Sequence, residues 1–191
     1  MSQIVKASKD DLKNIAKVHK KVYSKSHFTS LFSLELLEVF YSYFLNSGSS
    51  ILLAVDDKKD IQGFIVSGID ISDKISKFKS EERFNIWLTA LLHPVTATKK
   101  MITQIYNKLF IKHKEYNEAD YLILSIAVAV QRKGIGSSLL NEVTLMSQKQ
   151  EYKNLGLYVR VGNISALNLY LKDNYKIIAY TSDQYYMEKE N

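Results

Sequence analysis

Cysteine is absent from the 191 residues. That excludes a disulfide scaffold, a thiol nucleophile and any thiolate-bound zinc or iron–sulfur centre. One proline and seven glycines are too few for a collagen-like or long flexible chain. Histidine is scarce as well: His19, His27, His93 and His113 form no HExxH and no close pair, so no metal site is expected. Apolar runs stay short of the roughly 18 residues a membrane span needs, and none is expected. The opening stretch, MSQIVKASKDDLKNIAKV, is charged from Lys6 onward and lacks the apolar core of a signal peptide. A cytoplasmic protein is therefore expected.

What the chain does contain is ordinary for a globular fold: 46% apolar and 24% charged residues. Its length suits one domain spanning 1–191. The 26 Lys+Arg against 20 Asp+Glu leave a net charge of +6, with a pI near 9.2. Such a balance suits nucleic acid, an anionic membrane surface or a polyanionic small molecule. The lysines are dispersed and never form a block of five or six, which describes a solvated surface, and no nucleic-acid recognition motif is present. The abundance of Lys, Ile, Asn and Tyr points to an AT-rich bacterial genome.

The spacing of apolar residues predicts two helices in the first forty-six positions. Ser8 and Asp11 have capping-box spacing, followed by Leu12, Ile15, Ala16, His19, Val22 and Tyr23 at helical intervals. Residues 24–32 read as a loop, and a second helix runs over about 33–45. A hairpin follows, with strands near 50–55 and 61–68 around a charged turn. Residues 70–118 are Lys-rich and broken by Pro94, with helices expected over about 81–92 and 97–111. Each has a one-sided apolar face expected to pack on the body of the domain, with a lid, a homodimer contact or a membrane-surface contact as other roles.

The stretch YLILSIAV at 121–128 is a strand apolar on both faces. The turn Gln131-Arg132-Lys133-Gly134-Ile135-Gly136-Ser137 follows, then a helix over 138–150, a strand at 155–161, a helix at 163–172 and two closing strands near 176–180 and 185–188. The order predicts a mixed α/β sheet. A strand, a Gly-bearing turn and a helix start together form a device for holding phosphate. N–H groups of the first helical turn point outward, and the helix dipole favours an anion. Arg132 and Lys133 add two cations, and Gly134 and Gly136 allow close backbone approach. An ordinary helix start fits the same residues. A Walker A loop is excluded because no glycine stands five residues before Gly134 or Gly136. A dinucleotide fingerprint is excluded because position 139 is Leu.

The segments LSIAV, QRKGIGSSLL, LGLYVRVGN and ISALNLYLKDNYK together resemble the GCN5-related N-acetyltransferase (GNAT) superfamily. They match its (Q/R)-x-x-G-x-(G/A) turn and its later N-x-x-A-x-x-x-Y element. The similarity is strong over about 121–180, topological over 1–70, and absent from 70–118. It implies a mostly antiparallel sheet flanked by helices, with a helical insert between the third and fourth strands. It also implies acetyl-CoA as cosubstrate, with no metal. By the resemblance, Ile126, Ala127 and Val128 bond pantetheine through their backbone, and the N–H of Val128 holds the oxyanion. Gln131, Arg132, Lys133, Gly134, Ile135, Gly136 and Ser137 hold the pyrophosphate. Asn163 contacts the coenzyme, or simply caps its helix. Tyr170 is the general acid for the departing thiolate, where spacing alone describes a core aromatic.

Three departures stand out. Only Ala129 and Val130 separate Val128 from Gln131, where about four residues are common. Either the loop is two residues shorter, or the register moves so that Ile126 takes the place of Val128, which leaves the pantetheine positions open by one or two. Asn174 replaces the usual Gly, and Asn is the next-best residue for a left-handed cap. The Glu that related ribosomal-protein alanine acetyltransferases keep on the fifth strand is Tyr158 here. Asp70, His93, Glu118 and Asp120 are the other candidate bases, and none is assigned. The implied reaction is direct attack of a primary amine on the thioester. The acceptor is a small molecule such as an amino sugar, with a protein N-terminus as runner-up. A coenzyme-A-binding sensor without catalysis is the rival reading.

Overall fold

Short apolar runs build a seven-stranded sheet in the order β1-β2-β3-β4-β5-β7-β6. The computed structural model describes residues 2–24, 27–46, 48–95, 98, 116–130, 133–181 and 183–191. The strands are β1 (Gln3–Lys6), β2 (Ser49–Val55), β3 (Ile61–Gly68), β4 (Tyr121–Val128), β5 (Asn154–Arg160), β6 (Lys176–Thr181) and β7 (Gln184–Glu190). Every pairing is antiparallel except β4 with β5. Mixed α/β architecture with a mostly antiparallel sheet is what the sequence pattern predicts. β1 is an addition: QIVK offers only two apolar residues, too short a run to signal a strand, and it forms because Val5 and its neighbours pair with β2.

β2 is buried along its whole length, because both faces are covered. On one face lie α1 (Leu12–Val22) and α2 (Leu34–Ser42). Ile15, Leu37, Phe40 and Tyr41 pack there on Ile51, Leu53, Phe64 and Val66. On the other lie α5 (Ile135–Lys149) and α6 (Ile164–Lys172), with Leu139, Leu140, Val143 and Tyr170 against Leu52, Ile65, Ile123 and Leu157. The capping box at α1's entry forms as expected: the Ser8 N–H donates to Asp11 Oδ2 at 2.8 Å and the Ser8 hydroxyl at 2.9 Å. Asn174 takes φ 67°, and the Tyr175 N–H closes back on the Tyr170 carbonyl at 3.0 Å, so Asn does serve as the left-handed cap.

The insert between β3 and β4 is helical and differs in detail from the expectation. α3 (Ile71–Glu81) was not anticipated by the pattern, because its apolar residues Ile71, Ile75 and Phe78 are diluted among serines and lysines. α4 (Arg83–Leu92) matches the helix expected near 81–92. The helix expected over 97–111 lies outside the described residues. The apolar face of α4 is not packed on the domain as expected: Phe84, Trp87, Leu91 and Leu92 are 57–68% exposed.

Candidate functional site

The sheet changes character where β4 meets β5. Their parallel ladder holds over three pairs only, Tyr121 with Leu155, Leu122 with Gly156 and Ile123 with Leu157. Beyond them the strands part, leaving 124–128 of β4 and 158–160 of β5 facing a gap. A bulge on β4 marks the same point, since Val66 pairs with Ser125 and Ser67 with Ile123, which skips Leu124.

One bond fixes which residues of β4 turn their backbone toward the gap. The Ala129 N–H donates to the Gln62 carbonyl at 2.8 Å. Antiparallel ladders alternate, so Ala127 turns its backbone groups toward β3 as Ala129 does. Ile126 and Val128 therefore direct N–H and C=O into the gap. The geometry corrects the candidate set at Ala127, whose backbone is committed to β3 and whose side chain is fully buried. Ser125 Oγ and Arg160 Nε, on the two strands that part here, are buried without hydrogen-bond partners.

β4 leads into the N-terminus of α5, which starts at Ile135, three residues before the apolar spacing places it. The N-cap is Gly134, which has no side chain to offer, so among the described residues the first-turn N–H groups of Ile135, Gly136 and Ser137 have no side-chain acceptor. Gly134 stands at φ 73° with open space where a Cβ would be, a conformation that glycine adopts without cost. Gly136 has a different reason. A Cβ there would meet Leu169 Cδ2 at 3.3 Å, so this glycine lets α5 lie close to α6. The Ile135 side chain is buried in the core beneath, while Lys133 is exposed beside the turn. Gln131 and Arg132 lie outside the described residues.

Asn163 caps α6, its Oδ1 accepting from the Ala166 N–H at 3.3 Å. Tyr170, on the same helix, is 6% exposed, with its ring 5.7 Å from that of Tyr175. Burial, and then the nearby Tyr23 phenol, raise its pKa, so the hydroxyl keeps its proton.

On the opposite face a polar chain runs inward from the surface. His27 Nδ1 meets Thr29 Oγ1 at 2.8 Å, Thr29 Oγ1 meets His19 Nε2 at 3.2 Å, and His19 Nδ1 meets the Tyr41 hydroxyl at 2.6 Å. Tyr23 stacks on His19 with centroids 4.2 Å apart. Burial, then the positive potential of His27 and Lys20, push the His19 pKa down to about 3. Burial raises Tyr23 to about 12 and drives Tyr41 upward too. The Ser125 hydroxyl eases both rises without reaching hydrogen-bond geometry. The sequence shows His19, Tyr23 and His27 as separate residues but not their connection, because the members of this chain are distributed over α1, α2 and the loop between them.

A second polar group surrounds Tyr158, the first β5 residue beyond the last paired position. Its hydroxyl donates to Glu118 and lies 2.8 Å from that of Tyr116. The Tyr186 hydroxyl accepts from the Ala119 N–H at 2.7 Å and donates to Glu188 at 2.9 Å. Burial first, then the Glu118 bond, raise the Tyr158 pKa. Of the other candidate bases, Asp70 is paired with Lys74 at 3.0 Å, beyond the far end of β3 from the gap. His93 lines a cavity of about 360 Å³ between α2 and α4, together with Phe32, Leu36 and Leu88. No residue of β4, β5, α5 or α6 contributes to that cavity. Asp120 is exposed at the start of β4. Among the described residues no group of three or more potential ligands is placed to hold a metal ion, and no helix is long and apolar enough to cross a membrane.

No family model and no curated protein matches the sequence. Solved structures do match over the full chain. The PaiA N-acetyltransferase of Thermoplasma acidophilum, in complex with coenzyme A, shares 18% identity and a TM-score of 0.63, covering 100% of this chain and 99% of that one. An N-acetyltransferase of Staphylococcus aureus Mu50 shares 17% and 0.63, with 100% and 98% covered. The ribosomal-protein-S18-alanine N-acetyltransferase of Escherichia coli shares 14% and 0.60, with 100% and 94% covered. With strand order, bulge and parted β4–β5 pair alike in place, the chain has the fold of the GCN5-related N-acetyltransferases.

Proposed function

We propose that the protein moves an acetyl group from acetyl-CoA to a primary amine by direct attack on the thioester. The observation that carries this reading is the β4–β5 gap, into which Ile126 and Val128 turn their backbone groups, continuous with an uncapped helix N-terminus at Gly134. Pantetheine amides are the natural complement of unpaired strand edges, and a pyrophosphate is that of free N–H groups at a helix start. The buried, unpartnered Ser125 Oγ and Arg160 Nε also suit a polar guest.

In this scheme Ile126 and Val128 pair with pantetheine, and the Val128 N–H stabilises the oxyanion. The first-turn N–H groups of Ile135, Gly136 and Ser137, with Lys133, hold the pyrophosphate. Gln131 and Arg132, which precede Lys133 in the sequence, are assigned to the pyrophosphate by the resemblance alone. The amide nitrogen of Asn163 remains for the coenzyme, since its oxygen serves the cap. Tyr170 keeps its proton at neutral pH and gives it to the departing thiolate. Holding amine and thioester together supplies much of the acceleration.

For the acceptor, the +6 charge favours an anionic substrate, and nucleotide-linked amino sugars rank before a protein N-terminus. Calorimetric titration with acetyl-CoA tests the reading, with ATP and NAD as controls. Micromolar binding of acetyl-CoA alone is expected, and its absence refutes the proposal. Turnover on a panel of UDP- and dTDP-linked amino sugars is expected next; turnover on free-amine peptides alone transfers the assignment to protein N-termini.

A further inference from the structure

An amine is protonated at neutral pH and cannot attack until it loses that proton. A base must therefore stand on the face of the sheet where the gap opens, and it needs a way to pass protons to water. His19 does not qualify: both ring nitrogens are committed, to Tyr41 and Thr29, and it is 2% exposed. Asp70 is bound to Lys74 and stands at the far end of β3. Glu188 is half-buried and accepts from Tyr186, whose hydroxyl is already bound to the Ala119 N–H. Glu118 is different, since it is exposed to solvent and accepts the hydroxyl proton of Tyr158. Tyr158 in turn stands at the apex of the gap, one residue past the last β4–β5 pair. Its side chain lies on the α1 and α2 face of the sheet, packed beside Tyr186.

We propose that Tyr158 and Glu118 form a two-step proton relay, in which Tyr158 takes the ammonium proton and Glu118 carries it to solvent. As one N–H bond of the ammonium breaks, its proton binds the phenol oxygen. The phenol's own proton passes along the existing hydrogen bond to the Glu118 carboxylate. The amine is left neutral with a lone pair, Tyr158 is unchanged, and Glu118 becomes a carboxylic acid that returns its proton to water. The phenol oxygen has two lone pairs; the Tyr116 hydroxyl accounts for one, at 2.8 Å, which leaves one for the acceptor. A raised Tyr158 pKa suits a group that transmits protons without resting as phenolate.

The relay rests on the acetyltransferase reading, and the test separates the two. Tyr158→Phe and Glu118→Gln are assayed with the amino-sugar nucleotides and free-amine peptides named above, alongside acetyl-CoA binding. The expected result is an approximately 100-fold or greater loss of kcat at pH 7, with an unchanged dissociation constant for acetyl-CoA. The loss should shrink toward unity as pH rises past the acceptor's own pKa, where the amine arrives neutral. Glu188→Gln, which alters the neighbouring carboxylate alone, should keep the wild-type rate. Because Glu118 is exposed, its variant carries the test even where Tyr158→Phe disturbs the core. Wild-type rates in both variants at pH 7, an equal loss at every pH, or an equal loss in Glu188→Gln overturns the relay while the acetyltransferase reading stands. A wild-type protein that binds acetyl-CoA yet acetylates no amine sinks that reading, and the relay with it.

Discussion

Replacing His19 by glutamine should flatten the acid limb of the stability curve, because this ring is held neutral in the fold and becomes charged when the chain unfolds. Its pKa lies near 3 in the folded protein against 6.5 for a free imidazole. Between those values the unfolded chain binds the extra proton, so stability falls as pH falls, and is fully present only above about 6.5. Integrating from pH 7.5 to 5.0 gives a loss of about 2 kcal/mol from this residue alone. Urea unfolding at the two pH values is the assay. With a slope of about 2 kcal/mol per molar, the wild-type midpoint should drop by about 1 M more than that of the variant. Comparing the two proteins at each pH isolates the contribution of this one ring. The substitution costs stability of its own at pH 7.5, and only the pH dependence matters. If the two midpoints fall in parallel, His19 is not held neutral by burial, and the account of the Tyr41–His19–Thr29–His27 chain is wrong.

Other perturbations address the candidate site and its supports. Tyr170→Phe should lower kcat by about 100-fold or more with acetyl-CoA affinity intact; equal loss of affinity would make it a packing residue instead. Gly134→Ala forces a side chain into the left-handed region and should cost about 1 kcal/mol, a fall in Tm of roughly 2–4 °C. Asn163→Ala removes the cap of α6 and should cost about 1 kcal/mol by the same measurement. Gly156→Ala should be worse, because the new Cβ would lie 2.6 Å from the Tyr186 hydroxyl and 2.9 Å from Leu122. Failure to fold, or a Tm loss well beyond that of Gly134→Ala, is expected.

Much of this was legible because the elements around the gap carry strong local signals. YLILSIAV forms the strand its apolar run predicts, fully buried over Tyr121–Ile123 and half-buried at most positions beyond, where the gap opens, and Asn163 and Asn174 punctuate α6 at both ends as their chemistry requires. The turn at Gly134 was legible as a helix start. Its two glycines were not distinguishable, because one answers to φ and the other to Leu169 of a helix thirty residues away. Backbone direction along β4 was hidden for a similar reason: it is set by which β3 residue Ala129 meets, a fact absent from either strand alone. α3 went unseen because serines and lysines separate its few apolar residues. The Tyr158–Glu118 contact joins residues forty positions apart, and nothing local announces it.

The short ladder between β4 and β5 also means that the sheet is two antiparallel blocks joined by a seam. β1 to β4 form one block and β5 to β7 the other, with three residue pairs across the join. A molecule lying in the gap and bonded to the Ile126 and Val128 backbone would act as a splint along that seam. Amide exchange at those two residues would then report how firmly the halves are clasped, and the protein's cooperativity of unfolding would depend on its cosubstrate as well as its core.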